Sequence, residues 1–289
     1  MSDPTLKDIS LAVVGAGSMG EAMVAGLVDR RLVDASRVIC SHPRAERREA
    51  LASAHGVKVT ADNVAAAEAA DIVLLAVKPQ MLAGVMTELR DRLSADQLVI
   101  SIIAGASTRA IGEGLQHPAV VRSMPNTPAQ IGQGVTVWYA TDSVDERGRE
   151  HVRTMLGALG REFEVHDERQ LAMATAVSGT GPTYIFLFIE ALTDAAVHLG
   201  FPRHVARELV LDTMSGSAEF ALQSGKHVAE LRDMVTSPGG TSAEALYELE
   251  KGRLRTVVSD AVWAAFERTL QLEARLEGTD AGTYQRRGR

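Results

Sequence analysis

Residues 9–24 read ISLAVVGAGSMGEAMV. An apolar, β-branched run ends at Val14, the glycine-rich segment Gly15-Ala16-Gly17-Ser18-Met19-Gly20 follows, and apolar residues then recur at helical spacing. Glycine turns join many strands to helices, so GxGxxG alone says little. Between a strand and a helix it has a physical reading as a dinucleotide site. Gly15 permits the tight turn, Gly17 lets the backbone approach a pyrophosphate, Gly20 allows close helix packing, and the helix N-terminus attracts the anion.

Outward from this segment the same grammar continues to about Val165. Short runs (ISLAVV, RVICS, DIVLLAV, QLVISII, AVVRSM, GVTVWYA, REFEV) alternate with helical stretches such as EAMVAGLVDRR and AERREALASAH. Strands buried on both faces read as continuous apolar runs, so the expected fold class is α/β: an N-terminal Rossmann domain with a doubly wound, mainly parallel sheet. After Val165 the β-branched runs stop and long helices follow one another, which predicts an all-α C-terminal domain. The expected boundaries are 1–165, 166–278 and a disordered tail at 279–289. The segment TYIFLFIEALTDAAV (183–197) is apolar almost all round its first turns and needs cover from protein on every side, which points to a second subunit.

Composition narrows the function. At 289 residues two domains are expected, and a hydrophobic share of 46% with 23% charged residues is that of a soluble globular protein. The net charge of −7 and scattered basic residues argue against nucleic acid as a partner. The strongest apolar run, Tyr184–Ile189, is too short to span a bilayer, and MSDPTLKD lacks the features of a signal peptide, so no membrane partner and a cytoplasmic location are expected. Cys40 stands alone and reads as a packed strand residue, and the histidines show no ligand spacing, so no metal is expected.

Sites selective for NAD carry an acid at the end of the second strand, on the ribose 2′-OH. Here that strand ends Cys40-Ser41-His42-Pro43-Arg44. Ser41, His42 and Arg44 suit a 2′-phosphate, which predicts NADPH as cofactor with NADH as the alternative. Arg47 and Arg48 read equally well as cofactor contacts or as the solvated face of the next helix. The run DIVLLAV leads to Lys78, at the carboxyl edge of the sheet, with three roles open: catalytic, lining the cofactor ribose, or an exposed loop lysine. The prolines of Arg122-Ser123-Met124-Pro125-Asn126-Thr127-Pro128 fix a rigid loop near the expected nicotinamide.

One segment interrupts the helical half: DMVTSPGGTSAEAL, residues 233–246. Glycines expose backbone N–H groups, hydroxyls add neutral donors, and the following helix presents its N-terminus, so the loop is built for an anion. Thr241 and Glu244 also have capping-box spacing. Together with GAGSMG, AVKPQ, SIIAG, RSMPNTP and SGTGPTY, in order along nearly the whole chain, this segment resembles the pyrroline-5-carboxylate reductase family, whose usual form here is close to DxVTSPGGTT.

The resemblance implies a Rossmann domain, an all-α dimerisation domain, and reduction of 1-pyrroline-5-carboxylate to L-proline, the last step of proline biosynthesis, by NADPH or NADH. It implies homodimers with intertwined helices, assembled five at a time into decamers, with the substrate loop of one subunit serving a site that its neighbour completes. On the cofactor side it adds Asn63, Val77, Lys78, Pro79, Ala104 and Asn126 to the residues already named. On the substrate side it implies Ser178, Gly179, Thr180, Gly181, Pro182, Ser237, Gly239, Gly240, Thr241 and Ser242, with Ser242 orienting the imine nitrogen and Glu168 nearby. Thr180 and Thr183 depart from the family's SGSGPAY, Ser242 replaces a frequent threonine, and Ala172 replaces a polar residue. A β-hydroxyacid dehydrogenase would need a lysine on the first helices of the second domain, and none occurs between Glu162 and Gly225. A silent dinucleotide sensor would have no use for the hydroxyl-glycine loop.

Overall fold

The computed structural model of the protein describes residues 6–277. Those residues form two compact units, one running up to Thr180 and resuming at Ala265, the other spanning Gly181–Ala264. The predicted tail at 279–289 lies outside the described residues.

The first unit is built on β1 (Leu11–Val14), β2 (Val38–Ser41), β3 (Lys58–Thr60), β4 (Ile72–Leu75), β5 (Leu98–Ser101), β6 (Val120–Met124), β7 (Gly134–Ala140) and β8 (Gly160–Glu164). They make one sheet in the order β3-β2-β1-β4-β5-β6-β7-β8, parallel throughout except where β6 meets β7. Val13 lies opposite Cys40 on one side and Leu74 on the other. Every residue of β1, β4 and β5 is buried. Helices cover both faces: α1 (Ser18–Asp29), α2 (Ala45–His55), α3 (Asn63–Glu68), α4 (Leu82–Leu89), α5 (Thr108–Leu115) and α6 (Glu146–Gly157). Alternate strand residues therefore feed two apolar layers, one holding Val13, Leu74, Ile100 and Trp138, the other Val14, Val73, Leu75 and Val99.

Two differences from the sequence reading have simple causes. The strand β3 is absent from the predicted runs, because it is a three-residue edge strand whose one apolar residue, Val59, is only half-buried. The unit boundary falls after Thr180 rather than Val165, because α7 (Arg169–Ala174) buries Leu171 and Ala172 within the first unit. The last helix, α12 (Leu254–Glu277), returns to that unit from Ala265, burying Phe266 and Ala274.

The second unit holds α8 (Gly181–His198), α9 (Arg203–Ser224), α10 (Val228–Met234), α11 (Thr241–Lys251) and the opening turns of α12. The helices α8 and α9 pack together, yet few apolar side chains are covered, Ala206 and Val210 on α9 among them. Phe186, Leu187, Leu199 and Leu222 are 61%, 65%, 84% and 70% exposed. The stretch Arg169–His198, helical throughout, is long and apolar enough by length and composition to cross a membrane, which the short apolar run alone did not suggest.

Candidate active site

The chain leaves β1 toward β2 and β3, then crosses back to β4 on the other side of β1. That reversal opens a crevice above the carboxyl ends of β1 and β4, the place where doubly wound sheets bind ligands. The glycine turn sits there. Gly15 N–H and Ala16 N–H donate to the Ser41 carbonyl at 3.0 and 3.2 Å, tying the turn to the end of β2. Gly15 has φ +80°, and a Cβ on it would lie 2.2 Å from Val77 Cγ1, so no other residue fits. Gly17 is the N-cap of α1 and supplies no side-chain cap. A Cβ added to it would meet nothing closer than 3.8 Å, so space stands open over the uncapped first turn of α1. Free N–H groups, the positive end of a helix and open space at Gly17 fit the pyrophosphate of a dinucleotide.

At the end of β2 the predicted roles divide. The Ser41 side chain is fully buried and its Oγ donates to Asn63 Oδ1 at 2.7 Å, while Asn63 Nδ2 donates to Glu88 at 2.7 Å. Ser41 therefore builds the turn from inside and does not present its hydroxyl to a phosphate, which corrects the expectation. His42 accepts from the Arg44 N–H on Nδ1 at 3.2 Å, and burial together with the Arg44 guanidinium holds the ring below the ordinary imidazole range. Arg47 pairs with Glu21 at 2.6 Å and donates to the Ala16 carbonyl at 3.2 Å, while Arg48 donates to the carbonyls of His42 and Pro43. Both arginines hold the loop, a use that neither alternative reading foresaw. Arg44 is exposed, and among the described residues no carboxylate engages it. Its charge is left unpaired at the end of β2. Cys40 is buried in β2 with its thiol pushed up to about 12, so it is inert, as read.

Past β4, Val77 closes under Gly15, Lys78 is exposed, and Pro79 opens a single 3₁₀ turn. Ala104 is half-buried in the loop after β5. Asn126 is buried, and its amide is occupied: Oδ1 accepts from Val135 N–H at 2.8 Å and Nδ2 donates to the Ser178 carbonyl at 3.1 Å. Its side chain holds the loop shape through these two bonds.

That contact explains the segment that follows. The small residues Ser178–Pro182 do not open a loop before α8. Instead the backbone stays helical, with a π-turn at Thr175–Gly179 before α8 begins at Gly181. Pro182 has no N–H to give the carbonyl four residues back, Ser178, and Asn126 supplies the missing donor. Thr180 bonds back to the Thr175 carbonyl through both N–H and hydroxyl, at 2.7 and 2.9 Å. Glu168, expected beside the substrate, has both oxygens engaged elsewhere. Oε1 accepts from Thr108 N–H at 2.8 Å and from Arg122 at 3.2 Å, and Oε2 accepts from the Thr108 hydroxyl at 2.7 Å. It caps α5 and pairs with a buried arginine. Sequence reasoning passed over Arg122 as part of the turn RSMPNTP; a lone arginine inside an apolar strand was the available signal.

In the second unit, Gly239 has φ +69° and Gly240 N–H closes a turn onto the Ser237 carbonyl at 3.0 Å. A Cβ on Gly240 would fall 2.4 Å from Ser237 Oγ. The N-cap of α11 is Gly240, with no side-chain cap, and Thr241 is already the first helical residue. The predicted capping box of Thr241 and Glu244 therefore does not form, because the register starts one residue earlier. The consequence is local: Ala243 N–H and Glu244 N–H turn back onto the Gly240 carbonyl, while the N–H groups of Thr241 and the half-buried Ser242 receive no side-chain cap.

Both halves of this arrangement recur in known proteins. A family model described as pyrroline-5-carboxylate reductase dimerisation matches residues 168–272, and one described as NADP oxidoreductase, coenzyme F420-dependent, matches residues 10–105. The chain is 39% identical over 264 residues to a pyrroline-5-carboxylate reductase from Synechocystis sp., covering 91% of this chain and 98% of that one. A solved structure of a pyrroline-5-carboxylate reductase from Coxiella burnetii aligns with TM-score 0.86 at 36% identity, covering 91% of this chain and 98% of that one. The Plasmodium falciparum pyrroline carboxylate reductase, solved with NADP bound, aligns with TM-score 0.85 at 31% identity, covering 92% and 99%. A strand–glycine–helix cradle at one end of the chain and an uncapped hydroxyl-glycine helix start at the other thus come with sequence likeness across both, and the chain belongs to the pyrroline-5-carboxylate reductase family.

Proposed function

We propose that the chain reduces 1-pyrroline-5-carboxylate to L-proline with NADPH, the last step of proline biosynthesis. The observation that carries this reading is the uncapped start of α11, where bare N–H groups, turn glycines and hydroxyls gather and no charged side chain occurs from Val235 to Ala243. A cyclic imino acid offers one carboxylate and one ring nitrogen, and this loop offers donors for the first and Ser242 for the second. NADPH supplies the hydride when bound. Gly15–Gly20 receive its pyrophosphate, Val77, Lys78, Pro79 and Ala104 line its path along the sheet edge, and Arg44 takes its 2′-phosphate. Ser178–Pro182 and Ser237–Ser242 are proposed as the substrate segments.

Ser242 orients the ring nitrogen, and an imine that arrives protonated needs no proton from a side chain. That accords with the absence of a histidine from the hydroxyl-glycine loop. We propose that the protein is a homodimer, with five dimers per decamer as its larger assembly, and that it works in the cytoplasm without a membrane partner. The exposed apolar side chains continue from α8 onto α9, α11 and α12, which a partner copy would cover and a single spanning helix would not.

The direct test is oxidation of NADPH by the purified protein with 1-pyrroline-5-carboxylate, with L-proline identified as product. Ser242→Ala should lower kcat/KM by about 1–2 kcal/mol, the scale of one hydrogen bond. A loss of two to four decades would instead mark a proton donor and contradict the orienting role.

A further inference from the structure

The geometry points to Arg122, Glu168 and Glu273 as a positioning network that fixes the loop 102–107 for cofactor binding. Arg122 lies on β6 opposite Ser101, the last residue of β5, so it stands beside the point where this loop begins. Its side chain is 6% exposed and forks to two carboxylates, Glu168 through Nη1 at 3.2 Å and Glu273 on α12 through Nη2. Glu168 then grips the other end of the loop, accepting both the N–H and the hydroxyl of Thr108, the first residue of α5. In the middle, Gly105 is buried with φ +80°, and a Cβ on it would stand 3.3 Å from Leu276 Cδ1 and 3.6 Å from the Glu273 backbone nitrogen. Start, middle and end of the loop are thus held by one connected set of groups, with α12 as the backing.

An apolar cluster of equal volume would hold such a loop as stably, since buried ion pairs gain little over good packing. A planar guanidinium between two anions adds direction: it ties a strand, a helix start and the last helix to one register. The inference rests on the reading of Ala104 as a cofactor contact.

The test measures NADPH binding without substrate, by titration, so it stands whether or not the imine is reduced. It uses the whole protein carrying Glu273→Gln, Glu168→Gln or, leaving the buried charges intact, Thr108→Val. Each should weaken NADPH by about 3- to 30-fold, leave kcat at saturating cofactor and KM for the imine within about twofold, and speed amide exchange across residues 102–110. Arg122→Lys, which keeps the charge and loses the fork, should behave like Glu273→Gln. Unchanged exchange at 102–110 would overturn the network. Faster exchange with unchanged NADPH affinity would overturn the loop's place at the cofactor, and the proposal with it.

Discussion

The two units solve the burial problem in opposite ways. The first hides most of its apolar side chains within itself, though Ile131 and Val177 stay exposed: β1, β4 and β5 are covered on both faces, and Trp138, fully buried, gives its indole N–H to Glu162 at 2.5 Å. The second covers Ala206 and Val210 but leaves Phe186, Leu187, Phe220 and Leu222 exposed. Exposed apolar area on that scale marks an interface rather than a finished surface. In a family whose C-terminal model is one of dimerisation, self-sufficiency belongs to the cofactor unit, and the helical unit depends on a second chain.

The largest effect that could break this contrast comes from a charge on the helical unit. Leu187→Asp should cost on the order of 3–5 kcal/mol at the interface, as an unpaired buried charge does. Light scattering should then show monomers, and activity should fall with them, while the cofactor unit stays folded by circular dichroism. Persistence of the native assembly would show that the exposed face is not an interface.

The contrast sharpens if an exposed residue of the first unit answers to the cofactor instead. Arg44→Ala should weaken NADPH by about 1–3 kcal/mol and leave NADH unchanged. Arg47→Ala, which loses the Glu21 pair and the bond to the Ala16 carbonyl, should weaken both cofactors alike. Equal losses for NADPH and NADH in Arg44→Ala would remove the 2′-phosphate from that corner.

The smallest effect is a pH signature of the first unit alone. His117 is buried, with Nε2 on the Gln97 carbonyl at 2.7 Å, and burial holds its ring below the ordinary value of 6.5. Unfolded, it takes up a proton below 6.5 that the folded state refuses, so stability should fall as pH drops through that value. Denaturant titrations from about pH 7 to about pH 5 should show the slope, and His117→Gln should reduce it, leaving the part that His42 and His151, also held below 6.5, contribute. An unchanged slope in the variant would assign the effect to other groups.

Patterns that act locally were legible in the sequence. The glycine turn, the doubly buried strands and the helical half follow from spacing and composition, because one strand or one turn carries the whole signal. What escaped depends on partners far along the chain. Ser41 reads as a phosphate ligand until Asn63, 22 residues on, takes its hydroxyl. Glu168 reads as a substrate neighbour until Thr108, 60 residues back, claims it. The π-turn at Thr175–Gly179 needs both Pro182 and Asn126, and neither announces the other.

The return of α12 to the first unit bears on how the protein is made. Synthesis runs from the N-terminus, and Arg122 leaves the ribosome 151 residues ahead of Glu273. For the first 46 residues of that interval neither carboxylate partner of the guanidinium has been made, from then on only Glu168 has, and the ion-pair network closes only when the last helix arrives. A chain stopped short of Glu273 would keep its glycine turn and its strands but not the backing behind Gly105, so the pairing acts as a check on length built into the cofactor unit.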